Sequence, residues 1–167
     1  MSVQRLVAAL EKLKDIHEEL IALADRKREA LVRNAVDDVS AIVSKENKLV
    51  RAIDEQLREQ TEATNGFFRA KGFQPTRAIT VTELSRMVTD PKEKGALLAA
   101  RDRLSETVAA LKKKNELNQQ LIEQSLAFIN YSIDLVIGPD DEPTYRNPAY
   151  QKDNPGQQRA GFFDSRA

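Results

Sequence analysis

Of the 167 residues, 41% are hydrophobic and 31% charged, enough for a narrow core between long helices and too little for a wide globular one. The 26 basic and 26 acidic residues cancel, so no net field draws the chain to nucleic acid or to acidic lipid. No cysteine is present, which excludes a disulfide framework and a thiolate metal site and suits the cytosol.

The first residues, MSVQRLVAALEKLKD, lack the apolar core of a signal peptide. No strictly apolar run exceeds about five residues, against the ~20 that a membrane span needs. The expectation is a soluble cytoplasmic protein with no membrane span.

Ser2 is a candidate N-cap for a first helix. Leu6, Leu10, Leu13, His17, Leu20, Ala24 and Leu31 then follow a three/four spacing on one stripe, with Lys27 where an apolar residue would continue it. At Asn34-Ala-Val-Asp-Asp38 the stripe breaks on cap and turn formers. A second helix is expected from about Asp38 to Thr64, with Val39, Ile42, Val43, Leu49, Val50, Ile53 and Leu57 inward.

The stretch from Asn65-Gly66 to Pro75-Thr76 reads as a loop. Exposed phenylalanine is unfavourable, so Phe67, Phe68 and Phe73 are expected to cap one end of a bundle, with a partner site as the alternative. Thr80-Val-Thr-Glu83 is a capping box that opens a short helix ending near Thr89. Asp90-Pro91-Lys-Glu93 follows as a second box with proline at the first helical position. Gly138-Pro139 is a stop signal, so the last helix runs from Pro91 to about Ile137, ~70 Å at 1.5 Å per residue.

The fold class is therefore all-α: an elongated antiparallel bundle or coiled coil with long first, second and last helices and a short capped helix between. One helical domain, 1–138, would be followed by a flexible, Pro-rich polar tail, 139–167. That tail holds four of the six prolines and no Leu, Ile or Val, too little apolar surface to offset its chain entropy. Phe162-Phe163, Tyr145 and Tyr150 are its only anchors for a partner.

Chemistry-bearing constellations are absent from the sequence. The one histidine, His17, reads as a tolerated seam residue, and no Glu-x-x-His pair exists for a di-iron bundle. No Gly-rich loop follows a strand, and no strand is expected. The carboxylates sit among basic residues, and Lys112-Lys113-Lys114 has no aromatic interleaving. These observations predict no catalytic residues, no metal, no cofactor and no nucleic-acid partner.

The last helix carries the strongest signal. Ile122, Leu126, Ile129, Ile133 and Val136 form one stripe, and Leu117, Leu121, Phe128 and Leu135 a neighbouring one. Together they are wider than the ~100° a surface helix needs to dock on one core. Amides and hydroxyls, including Asn118, Gln119 and Ser125, lie between. The broad face either sits centrally in the bundle or is covered from outside. Helices of roughly 30 and 27 residues reach only about 40–45 Å, so part of the last helix must overhang. A client or a second subunit would cover the exposed part, which leaves a homodimer open.

At this point the sequence resembles the FlgN family of flagellar export chaperones. The resemblance lies in Leu111-Lys112, in Asn115-Glu-Leu-Asn118-Gln-Gln-Leu121-Ile122, and in the run from Leu126-Ala127-Phe128-Ile129 through Asn130-Tyr131-Ser132-Ile133-Asp134-Leu135. The order of the helices is similar too, and the likeness covers residues 1 to 137. It implies a cytoplasmic chaperone without ATPase activity. Such a protein binds hook-associated proteins of the hook–filament junction, keeps them unassembled and delivers them to the flagellar type III export gate. It implies client binding in the C-terminal part of the chain. Here that corresponds to Asn118, Leu121, Ile122, Ser125, Leu126, Phe128, Ile129, Tyr131, Ile133, Leu135 and Val136, with Tyr131 the candidate for docking on the export apparatus. A self-associating coiled-coil scaffold without an export role is the alternative, followed by another export accessory of the same helical type.

Overall fold

The computed structural model describes residues 3–137. The expected Ser2 cap, the Gly138-Pro139 stop, the 138/139 domain boundary and the tail 139–167 lie outside these residues. Every described element is α-helical: α1 Val3–Val32, α2 Val36–Ala70, α3 Val81–Ser85 and α4 Pro91–Ile137. By compactness the chain divides into Met1–Phe128 and Ile129–Ala167, and the account of packing that follows concerns the first.

α1 buries Leu6, Leu10, Leu13, Leu20 and Ala24 of the expected stripe. It stops at Asn34, which adopts a left-handed φ of 55°. The Ala35 N–H donates to the Ala30 carbonyl (2.9 Å) and the Asn34 N–H to the Leu31 carbonyl (3.1 Å). This is a Schellman ending with asparagine in the place glycine usually takes. The turn thus falls where the sequence placed it.

α2 starts two residues before the expected position, without a side-chain cap, and Asp37 and Asp38 lie in its first turn, where the helix dipole favours negative charge. It antiparallels α1 through Arg5–Glu59 (3.1 Å) and through Lys27, whose ammonium donates to both Glu46 oxygens (2.8 Å). That pair explains the charged residue on the α1 stripe: Lys27 and Glu46 are each about 15% exposed at the side chain (14% and 16%) and satisfy one another.

Two expectations for α2 are corrected. First, the helix continues through Gly66, Phe67 and Phe68 to Ala70, so the loop begins only at Lys71. Glycine within a helix costs about 1 kcal/mol relative to alanine, but continuing the helix carries Phe68 into the core, where it meets Phe67 and Phe73 edge-on at 5.9 and 6.5 Å. Phe73 itself is exposed, so the aromatic cap is made mainly by the other two. Second, Ile42 is buried as expected, whereas Val43, Val50 and Leu57 face solvent.

α3 carries the expected capping box. The Glu83 N–H donates to Thr80 Oγ1 (3.2 Å), and the Thr80 N–H donates back to Glu83 Oε2 (3.0 Å). Arg77 also donates to this carboxylate (2.7 Å). The Arg77 guanidinium, with the Thr80 backbone, holds the Glu83 carboxyl at a pKa of about 2. The helix ends at Ser85, earlier than the Thr89 expected. At the start of α4, Asp90 Oδ1 accepts from the Lys92 N–H (2.8 Å), and among the described residues no bond returns from Glu93 to Asp90.

α4 runs parallel to α1, joined to it by Arg103–Glu11, Lys114–Asp25 and Asn118–Ala24. Two cores result. The larger gathers Leu6 and Leu10 of α1, Phe68 of α2, Leu84 of α3, Val88, and Leu97 and Ala100 of α4. The smaller, at the α1–α2 turn, consists of Leu23, Ala30 and Ile42, with Val39 and Leu49 against them. It draws on α1 and α2 alone. Among the described residues, α1 and α2 are the one helix pair whose backbones run close together over a long stretch.

Candidate partner-binding surface

The seam that α4 turns toward α1 repeats every seven residues: Leu97, Leu104, Leu111, Asn118, Ser125. A seven-residue repeat keeps one face of a helix against its neighbour. The seam changes character along its length. Leu97 is fully buried, Leu104 and Leu111 are half-buried, and then the leucines give way to an amide and a hydroxyl.

Asn118 is 3% exposed, and its Nδ2 donates to the Ala24 carbonyl at 2.9 Å. Ala24, itself buried, is small enough to let the amide approach. The sequence placed Asn118 among the partner-contacting amides. Its donor is spent inside the molecule, and it sets the register of α4 on α1, a role well suited to a single polar residue in an apolar seam. A leucine in the register of Leu97 would have been expected there, and that substitution within the repeat is the signal that distinguishes it.

Successive residue pairs between α1 and α4 differ in number by 92, 89 and 94. At that offset Val32, the last residue of α1, is level with about Ser125. Leu121, Ile122 and Ser125 are accordingly half-buried. Leu126, one step further, is 55% exposed, and Phe128 is exposed as well.

Residues 129–137 belong to the second unit. Within that stretch Ile133 is half-buried, while Ile129, Tyr131, Leu135 and Val136 are exposed, Val136 to 86%. Of the eleven residues singled out from the sequence, Asn118 alone is buried. Six large apolar or aromatic side chains, from Leu126 to Val136, stand open.

His17 is occupied locally: its Nδ1–H donates to the Leu13 carbonyl one turn back (2.6 Å). Among the described residues no group of His, Asp and Glu is arranged to hold a metal ion, and no helix is long and apolar enough to cross a membrane. The surface offers helix-face recognition, through apolar knobs at three/four spacing, and no reactive group.

Comparison with known proteins gives two matches. The family model described as FlgN protein matches residues 1–153. A Bacillus subtilis protein described as uncharacterized protein YvyG is 29% identical over 167 residues, spanning the whole of both chains. No solved structure matches.

Proposed function

Because the chain belongs to the FlgN family, the flagellar export chaperones, we propose that it acts in the cytoplasm on hook-associated proteins, keeping them unassembled and delivering them to the export gate, with the second half of α4 as the client-binding face. Family membership supports the choice of client class. The choice of surface rests on one observation: large apolar side chains of one stripe of α4, Leu126, Ile129 and Val136, remain exposed. Contiguous apolar surface of this kind marks an interaction site in a water-dissolved protein.

The mechanism is masking. Client segments that polymerise through helical contacts lay their apolar stripe on that of α4 and are withheld from one another. Tyr131, 61% exposed on the same stretch, is free to meet the export apparatus from a neighbouring face. Binding without buried ion pairs keeps the affinity releasable.

The test is calorimetry of the full chain against a purified hook-associated protein. Leu126→Asp combined with Ile129→Asp abolishes binding while circular dichroism stays helical, since neither residue is buried. Binding that survives this pair of substitutions overturns the assignment of the surface. Truncation at Asp140 asks separately whether residues 140–167 contribute, and unchanged affinity removes them from the client site.

A further inference from the structure

A second surface lies within Met1–Phe128; on α4 it takes in Leu111 to Ile122, which precede the exposed residues Leu126 to Val136 on which the client face rests. An open groove of about 490 Å³ runs between α2 and α4, with α1 as its floor. Leu20 lines the bottom beside the Lys27–Glu46 pair, Val50 and Ile53 form one wall and Leu111 and Ile122 the other, and polar residues such as Asn47 and Gln119 line it between them. Apolar residues extend both walls: Val43, Val50 and Leu57 on α2 and Val108 on α4 are each 39–48% exposed. Three helices therefore present the inner side of a four-helix arrangement in which one position is open.

The ion pairs say what belongs there. Every pair joining two long helices involves α1: Arg5–Glu59, Lys27–Glu46, Arg103–Glu11 and Lys114–Asp25. None among the described residues bridges α2 and α4. Beside the apolar wall of α2 runs a row at four/three/four spacing, Asn47, Arg51, Asp54 and Arg58; beside that of α4 runs its counterpart, Lys112, Glu116, Gln119 and Glu123. The charged members of both rows are exposed and make no ion pair among the described residues. In helical bundles such flanking charges choose the partner helix and its direction.

Their net charge differs between the two halves. Through the α1 pairings, Arg58, Arg51 and Lys112 fall along one half of the groove, with Asp54 the single opposing charge, and Glu116 and Glu123 fall along the other. We infer that the α2–α4 groove receives an amphipathic helix of a partner protein, about 30 Å or five turns long, apolar along one stripe, acidic at the end beside Arg51, Arg58 and Lys112, and basic at the end beside Glu116 and Glu123. On α4 this surface meets the client site at Ile122 but does not use the exposed Leu126 and Ile129, and it does not depend on who the clients are.

The probes are synthetic 18-residue helical peptides carrying a fluorescent label, titrated with the full chain and read by anisotropy at low salt. One has leucines at heptad positions with glutamates flanking one half and lysines the other; a second has the same composition with its charges interspersed; a third replaces the leucines by serine. The segregated peptide binds about tenfold more tightly than the interspersed one, and the serine peptide does not bind. Arg51→Glu with Arg58→Glu, both exposed and outside the core, weakens the segregated peptide about tenfold and turns the preference toward a peptide flanked by lysine throughout. Lys112→Glu moves affinity the same way from the other wall. Equal binding of the two charge patterns, indifference to the reversals, or no binding of any peptide overturns the inference. So does a self-associated species in sedimentation equilibrium that the Arg51→Glu, Arg58→Glu variant disperses, because the occupant would then be a second copy of the chain.

Discussion

The two ends of the unit Met1–Phe128 are built on different principles. Where α1 begins, four helices share one core: Leu10, Leu84 and Leu97 are almost wholly buried, and Phe68 seals it. Where α1 meets α2 at Asn34, the core is two helices deep, and α4 is held by an amide on a carbonyl and by one exposed ion pair, Lys114–Asp25. Dense apolar packing fixes shape, because displaced side chains lose both burial and contacts. An exposed ion pair holds with little energy, and a single buried amide bond contributes about 1 kcal/mol. One end of this unit is thus a rigid base, and the other is a place where α4 can accept company without the fold being taken apart.

The largest expected effect tests that contrast on a single seam. Leu97→Ala should cost about 3–5 kcal/mol by urea denaturation, and Leu111→Ala, half-buried on the same repeat, about 1–2 kcal/mol. Equal costs would erase the distinction between the ends. Next comes the turn. Valine at position 34 must enter a left-handed conformation that a β-branched residue resists, so Asn34→Val should lose about 1–3 kcal/mol in thermal melts, while Asn34→Gly stays within a few tenths. Asn118→Ala, which deletes the amide between α4 and α1, should lose about 1 kcal/mol. A loss as large as that of Leu97→Ala would mean the polar end is as firmly built as the base.

The smallest effect is a pH dependence confined to the base. The Glu83 carboxyl, ordinarily near 4.5, is drawn down to about 2 by Arg77 and Thr80. A group depressed in the folded state contributes stability above its unfolded pKa, so this contribution is present above about pH 4.5. It is lost as the pH falls from about 4.5 to about 2. Glu83→Gln should flatten that part of the stability profile measured by circular dichroism and leave it unchanged at neutral pH apart from a constant offset.

Much of this architecture was legible in the residues. The α1 stripe, the turn at Asn34, the box at Thr80 and the start of α4 at Pro91 each have a local cause, and each falls within a few residues of where that cause put it. Legibility failed where tertiary packing overrode local preference. Gly66 looked like a break, yet burial of Phe68 outweighs its helix penalty. Val43, Val50 and Leu57 looked like core by periodicity, but a periodicity cannot report that no helix covers them among the described residues. Asn118 looked like a surface amide because the carbonyl it meets, Ala24, is 94 residues away in sequence. Of the candidate surface, the exposed residues from Leu126 onward could be located by comparing helix lengths, whereas the α2–α4 groove required the pairing of all three long helices.

The Schellman ending at Asn34 also sets a schedule. It ties α1 to α2 through so few residues that the Lys27–Glu46 pair closes a separation of only 19, and short closures are cheap in chain entropy and fast. The Arg103–Glu11 and Lys114–Asp25 pairs close separations of 92 and 89. The α1–α2 hairpin is accordingly expected to assemble first and α4 to settle on it last. In stopped-flow measurements Asn34→Val then slows refolding, and Asn118→Ala chiefly speeds unfolding.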